Sequence, residues 1–221
     1  MATSNSRDFD LDVAEIIEEA YERCGLESRT GYDLKTARRS LNIMFAEWAN
    51  RGLNLWTVQQ ETQALTSGTA TYALTSDYTD LLEVAVKRSG TDFMMTRMSR
   101  GEYLNIPNKT QTGRPTQYYF DRRTTPSLIL WPTPENSTDS LIYYYVRRIQ
   151  DADTQINTTD APFRFLPCVI AGLSYYLAMK KAPDRIQLLK SVYEEEFQRA
   201  SDEDDDRVPL KLTPDIKFLR V

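Results

Sequence analysis

The fold is decided by residues 160–206, which have the sequence DAPFRFLPCVIAGLSYYLAMKKAPDRIQLLKSVYEEEFQRASDEDDD. Apolar side chains recur in it every three or four residues, which is typical of amphipathic helices. The pattern restarts after Lys181–Ala182–Pro183, so it predicts two helices, the first capped by Asp160. The two predicted apolar stripes are Phe163, Leu166, Ile170, Leu173 and Leu177, then Ile186, Leu189, Val192, Tyr193 and Phe197. So short a connection predicts an antiparallel hairpin that needs a further partner.

The N-terminal residues predict a second helical pair. One helix runs from about Leu11 to Cys24 and ends at Gly25, which suits a left-handed cap. The next begins at Asp33, taken as its N-cap, and ends at Gly52. Their inner faces carry Val13, Ile16, Ile17, Ala20, Tyr21 and Cys24, then Leu34, Ala37, Leu41, Met44, Phe45 and Trp48. Burying all four stripes in one core predicts a four-helix bundle built from both chain ends.

The middle of the chain, residues 56–150, is rich in Thr, Tyr and Val and predicts antiparallel strands. Ser99 followed by Glu102 predicts a capping box and one helical turn. The last three predicted strands, at 117–121, 127–131 and 140–148, would form a meander. The predicted fold is therefore α+β, with a helical pair at 1–55, a β-rich insert at 56–150, a helical hairpin at 151–206 and an extended arm at 207–221. Gly172 inside a predicted helix indicates close approach of a neighbouring helix.

Composition excludes several function classes. The net charge of −5 carries no basic excess for free nucleic-acid binding. No apolar run is long enough to span a membrane, and the polar first residues do not predict a secretory signal. The chain has no histidine, which removes histidine-based catalysis and histidine-ligated metals. Cys24 and Cys168 are expected to be buried free thiols, although a disulfide between them is left open. With no histidine and only these two cysteines, we expect a protein without metal, cofactor or enzymatic activity.

Residues 207–221 are unusually apolar for a chain terminus. Prolines at 209 and 214 prevent a regular helix there, and four basic residues reverse the charge of the rest of the chain. The side chains expected to bind a partner are Val208, Leu210, Leu212, Ile216, Phe218, Leu219 and Val221. A segment meant to stay disordered would not carry so many apolar residues. It either folds over its own domain or forms an arm that binds another subunit or protein.

Three stretches resemble one known family. They are SGTATYAL at 67–74 with Asp77, GRPTQYY at 113–119, and residues 160–180. Together with the order of helices, insert and arm, they resemble the head-to-tail adaptor (head-completion) proteins of short-tailed bacteriophages. The resemblance implies a virion protein that forms a ring, commonly of twelve subunits, between the portal protein and the tail hub or nozzle. It also implies that residues 208–221 reach the portal, and that the ring encloses DNA without reading its sequence.

Two other functions remain open at this stage. One is a tail-associated, carboxylate-based cell-wall hydrolase, which needs two acidic side chains facing each other about 5–9.5 Å apart. The other is a soluble regulatory module whose C-terminal segment covers its own core. The helical pairs, the β insert and the apolar arm favour a structural adaptor without enzymatic activity.

Overall fold

The computed structural model describes residues 11–52, 55–154 and 156–204. In this part of the chain, four helices come from the two ends, and the middle contributes the strands and one short helix. The helices are α1 (Val13–Arg23), α2 (Gly31–Arg51), α3 (Arg100–Asn105), α4 (Leu166–Lys181) and α5 (Ile186–Glu203). The strands are β1 (Val58–Ala64), β2 (Thr71–Ala73), β3 (Tyr78–Arg88), β4 (Thr91–Met94), β5 (Thr96–Arg97), β6 (Thr112–Gly113), β7 (Gln117–Asp121), β8 (Ser127–Trp131), β9 (Thr133–Pro134) and β10 (Ser140–Arg147).

Capping boxes fix the starts of α2 and α3. The Ser99 hydroxyl accepts from the backbone N–H of Glu102, whose carboxylate accepts from the N–H of Ser99, so the predicted box is confirmed. At α2 the N-cap is Thr30, and Asp33 is the third helical residue, which accepts from the Thr30 N–H. The prediction that Asp33 is the N-cap is therefore wrong. A threonine followed three residues later by an acid satisfies two free amides instead of one.

Helix α4 occupies the middle of the helical part. Helices α1, α2 and α5 each pack against it. Its buried residues are Cys168, Val169, Ile170, Ala171, Gly172, Leu173, Ser174, Leu177 and Ala178. A Cβ at Gly172 would lie 2.8 Å from Cε2 of Tyr193 and closer still to Sδ of Met44. The predicted close approach at Gly172 is confirmed, since α2 and α5 both reach this position.

The predicted fold class, a four-helix bundle built from both chain ends that carries a β insert, is wrong. A bundle needs each helix to turn one stripe toward a shared axis. Here α4 is itself the centre and is covered on nearly all its sides, as expected of a helix without a polar face. Phe163, taken as the first residue of its stripe, lies before α4 and is 63% exposed. The sheets also form a core of their own.

The strands form two four-stranded sheets, of order β1-β10-β3-β4 and β2-β8-β7-β5, and a two-stranded sheet of β6 and β9. The predicted hairpin of β7 and β8 is confirmed. The predicted meander is wrong, because β10 lies in the other four-stranded sheet, where it pairs antiparallel with β1 and β3 and not with β8. Side chains from both larger sheets bury one apolar cluster: Leu65, Tyr72, Leu74, Tyr78, Leu81, Val84, Val86, Met95, Tyr118, Phe120, Leu128, Leu130, Leu141, Tyr143 and Tyr145. The predicted domain boundaries at residues 55, 150 and 206 stay a prediction.

Asp160 does not cap a helix. Helix α4 begins at Leu166, after a short 3-10 turn. The Asp160 carboxylate instead accepts from the guanidinium of Arg147 and from the N–H of Gln150, at 2.9 Å each. Burial alone would raise the pKa of this carboxyl, but the bonds from Arg147 and Gln150 outweigh it and lower the pKa. Asp160 therefore ties the end of β10 to the start of the C-terminal helices.

Candidate assembly surfaces

The seven side chains predicted to bind a partner, Val208, Leu210, Leu212, Ile216, Phe218, Leu219 and Val221, lie outside the described residues. The last residue that the structure describes before this segment is Asp204. Asp204 is the C-cap of α5, and its Oδ2 accepts from the N–H of Leu55 at 3.0 Å. Leu55 begins the 3-10 turn that leads into β1. The last described residue, Asp204, therefore lies beside the link between α2 and the first sheet.

The solvent side of α2 is basic and partly apolar. Lys35, Arg38 and Arg39 lie here beside Ile43, which is 52% exposed, and they line a shallow depression of about 370 Å³. None of the three cations has a carboxylate partner among the residues that the structure describes; Arg38 donates to the backbone oxygen of Asp153. We call Lys35, Arg38, Arg39 and Ile43 the basic face.

The solvent side of α1 carries the opposite charge. Glu15, Glu18, Glu19 and Glu22, with Leu11 and Ile170, line a second depression of about 350 Å³. Glu19 is paired with Arg23 at 2.8 Å, and Glu15 accepts from the N–H of Asp12 in the capping box of α1. Glu18 and Glu22 are exposed and have no ion pair within the described ranges. We call Glu15, Glu18 and Glu22 the acidic face.

A third concavity lies where α2 meets the segment after β10. It encloses about 390 Å³. Its lining residues are Asn42, Phe45, Ala46, Ala49, Asn50, Thr79, Arg148, Ile149, Gln150 and Asp151. Asp151 is its one carboxylate, whereas glycoside hydrolysis uses a pair across a cleft. This groove therefore lacks the arrangement that the hydrolase alternative requires.

The described residues hold no group of three or more His, Cys, Asp or Glu side chains that could hold a metal ion. Both cysteines are free and buried. Burial raises the pKa of the Cys168 thiol to about 12 and also raises that of Cys24. Both thiols are therefore protonated near neutral pH, and a protonated thiol is a poor nucleophile. No described helix is long and apolar enough to cross a membrane.

Polar side chains between α2, α4 and α5 form a partly buried network that the sequence did not reveal. The Trp48 indole donates to the Tyr193 hydroxyl at 3.0 Å, and that hydroxyl donates to Glu47 at 3.3 Å. Glu47 also accepts from the Tyr176 hydroxyl at 2.7 Å. Burial, and then the nearby Glu47 carboxylate, raise the pKa of Tyr176. The phenols stay protonated, so the network fixes the mutual position of three helices.

The aromatic and basic runs of the middle segment pack as structural residues. Tyr143 and Tyr145 are buried and Tyr144 is exposed, as alternation along a strand predicts. Arg147 is engaged by Asp160, and Arg123 by Asp121. These arginines therefore form no continuous phosphate-binding groove.

Comparison with protein families gives a match over most of the chain. The family model described as "SU10 adaptor protein" matches residues 11–213, which include both helical ends, the sheets and the first residues of the C-terminal segment. A search of curated proteins found no match. The expected resemblance to phage head-to-tail adaptors is confirmed. The chain belongs to the SU10 adaptor protein family, whose members are phage structural adaptors.

Proposed function

We propose that the chain is a head-to-tail adaptor that forms a ring between the portal protein and the tail hub or nozzle of a phage particle. The observation that carries this proposal is the family match over residues 11–213. Two packed cores in one chain, one helical and one of sheets, support it, because a ring subunit must be stiff. A closed ring of identical subunits also needs two different contact faces on each copy.

The portal contact belongs to residues 208–221. The apolar side chains of this segment suit an extended arm that is buried by a partner. Burying four or five of them would contribute about 6–15 kcal/mol, and ordering the segment would offset much of it. Asp204, the last described residue before this segment, is bonded to Leu55, so the C-terminal end of α5 is held beside the turn that leads into β1.

The tail contact belongs to the loops and strands of residues 56–150. Leu82, Met94 and Leu104 are 47%, 68% and 65% exposed, so this segment offers large apolar side chains that a partner could cover. Tyr103 stacks on Tyr119 at 5.5 Å and presents a further aromatic surface. A tail protein that covers these side chains would remove apolar area from water.

The role in the DNA conduit is passive and requires no catalysis. A net charge of −5 repels the DNA backbone, so the protein would not hold back a passing genome. Membership in a structural adaptor family fits this assignment.

Deletion of residues 207–221 tests the portal contact. The truncated chain should show the same helical circular dichroism as the full chain but should fail to sediment with portal-bearing heads. In the full-length chain, Leu210→Asp with Leu212→Asp should have the same effect, because both apolar anchors become charged. The neighbouring change Lys211→Gln is the control and should leave attachment within about twofold. Attachment of the truncated chain at the level of the full chain would show that the arm is not the portal contact.

A further inference from the structure

The acidic face of α1 and the basic face of α2 are two unpartnered surfaces of opposite sign on one chain. Glu18 and Glu22 lie four residues apart, so their like charges repel along α1. On α2, Lys35 and Arg39 repeat that spacing with positive charges. Folding alone therefore leaves two lines of charge, each lacking neutralisation by the described residues of its own chain.

The basic face is reinforced from α4. Lys180 donates to the Ser40 hydroxyl at 2.5 Å. Its pKa is lowered, first by burial and then by the positive charges of Arg39 and Lys181. Lys181 itself is neutralised by Asp33, whereas Lys180 and Arg39 are not paired with any described carboxylate. A partner with negative charge would relieve this concentration of positive charge.

The basic face also carries exposed apolar surface at its edge, since Ile43 is 52% and Tyr32 is 70% exposed on α2. Beside the glutamates of α1, Leu11 is partly buried and Ile170 is buried, so the floor of that depression is apolar. Isolated charges on a solvated face need no such neighbours. A charged helix face with exposed apolar side chains beside it is typical of a protein interface.

We infer that the acidic face of one copy (Glu15, Glu18, Glu22) docks on the basic face of the next copy (Lys35, Arg38, Arg39), and that this is the subunit contact of the ring. The partner is a second copy of this chain, since one sequence supplies both charges at matching helical spacing. The contact joins two different faces, so it is heterologous. In a closed ring each copy would use its acidic face toward one neighbour and its basic face toward the other. The inference rests on the proposed ring and adds to it the surfaces that meet.

Charge reversal tests the pairing. Glu18→Lys with Glu22→Lys makes both faces basic, and Lys35→Glu with Arg39→Glu makes both faces acidic. Each variant alone should fail to form the multimer that the wild-type chain forms, either alone or on portal-bearing heads, with at least a tenfold rise in the concentration needed for half assembly. An equimolar mixture of the two should assemble, because each acidic face then meets a basic one. Native mass spectrometry should show the two variants in equal number.

Two controls separate the contact from the effect of net charge. Glu83→Lys with Asp92→Lys changes the net charge by the same amount as Glu18→Lys with Glu22→Lys, but at exposed strand positions. This variant should form the same multimer as the wild-type chain. The chain carrying all four face reversals has its two faces exchanged in sign and should also assemble. Circular dichroism of every variant should match that of the wild-type chain, so that a loss of assembly is not a loss of folding.

Several outcomes would overturn the inference. If either reversal variant alone forms the wild-type multimer, these faces are not the contact, although the proposed ring stands. If neither the mixture nor the fourfold variant assembles, the faces do not meet each other. If Lys35→Glu with Arg39→Glu loses only binding to DNA, the basic face serves nucleic acid. If the wild-type chain forms no multimer either alone or on heads, the proposed function fails with it.

Discussion

The carboxylate of Asp204 accepts a hydrogen bond from the backbone N–H of Leu55, at 3.0 Å. This bond joins the end of the last described helix to the segment that leads from α2 into β1. The C-cap of α5 is therefore held where the helical part and the sheet part of the chain meet.

The pair of Lys181 and Asp33 should make stability depend on pH at the acid end. The hydrogen bond from Lys181, followed by that from Thr30, lowers the pKa of Asp33 to about 2. An unfolded aspartate titrates near pH 3.9. The pair therefore stabilises the fold fully above about pH 4, and this contribution is lost as the pH falls toward 2.

Replacing Asp33 by Asn should flatten that dependence. Urea unfolding between pH 2 and 5, followed by tryptophan fluorescence, measures the free energy of unfolding at each pH. Glu27→Gln is the matched control, because Glu27 forms an exposed ion pair with Arg29 and should leave the slope nearly unchanged. An Asp33→Asn slope equal to that of the wild-type chain would contradict the assignment.

Gly172→Ala should destabilise the helical core. The added methyl would overlap the Tyr193 ring and Met44, which costs about 1–3 kcal/mol, while alanine returns about 1 kcal/mol of helix propensity. We expect a net loss near 1 kcal/mol in the free energy of unfolding. At Gly31 the added methyl would meet no atom within 4 Å beyond the adjacent backbone of its own helix, so Gly31→Ala should cost nothing. Equal stability of the two variants would mean that α4 is not packed as described.

Tyr193→Phe should lower the free energy of unfolding by about 1–3 kcal/mol. The change leaves the buried indole N–H of Trp48 without its hydroxyl acceptor, and an unsatisfied buried donor costs about this much. Tyr32→Phe removes a hydroxyl from a side chain that is 70% exposed and should have little effect. Chemical denaturation of both variants measures the difference, and an unchanged Tyr193→Phe midpoint would argue against the network.

Both native thiols should be inert in the folded chain. Cys24 and Cys168 are buried, and burial raises the pKa of each. A thiol reagent such as Ellman's reagent should label neither at neutral pH without denaturant and both in strong denaturant. Ala49→Cys places a thiol at an exposed position of α2 and should react at once. Rapid labelling of a native cysteine would contradict its burial.

The local sequence pattern predicted most helices and strands, whereas strand pairing and the burial of α4 depend on tertiary packing. The strand predictions at 117–121 and 127–131 match β7 and β8, because neighbouring alternating segments pair through a short turn. The pairing of β10 with β1 joins Val146 to Val58, far apart in sequence, and no local signal encodes that register. The apolar stripe of α4 was recognised from the sequence. The opposite side of this helix is also buried, but it consists largely of small residues whose burial the hydrophobic periodicity does not indicate.

The candidate surfaces were only partly visible in the sequence. The pairing of Glu19 with Arg23 follows from their spacing on one helix. That Glu18 and Lys35 lack partners required the fold, because an ion pair can join residues distant in sequence, as Arg51 and Glu194 do at 2.7 Å. The arm predicted at 207–221 rests on its composition alone, lies outside the described residues and stays a prediction.

A cryo-electron microscopy reconstruction of the head–tail junction of the native particle tests the central claim most directly. The account predicts a closed ring of this chain between the portal and the tail, with Leu210, Leu212 and Phe218 buried against the portal. A reconstruction in which these side chains pack into their own subunit, or in which the chain lies elsewhere in the particle, would contradict it.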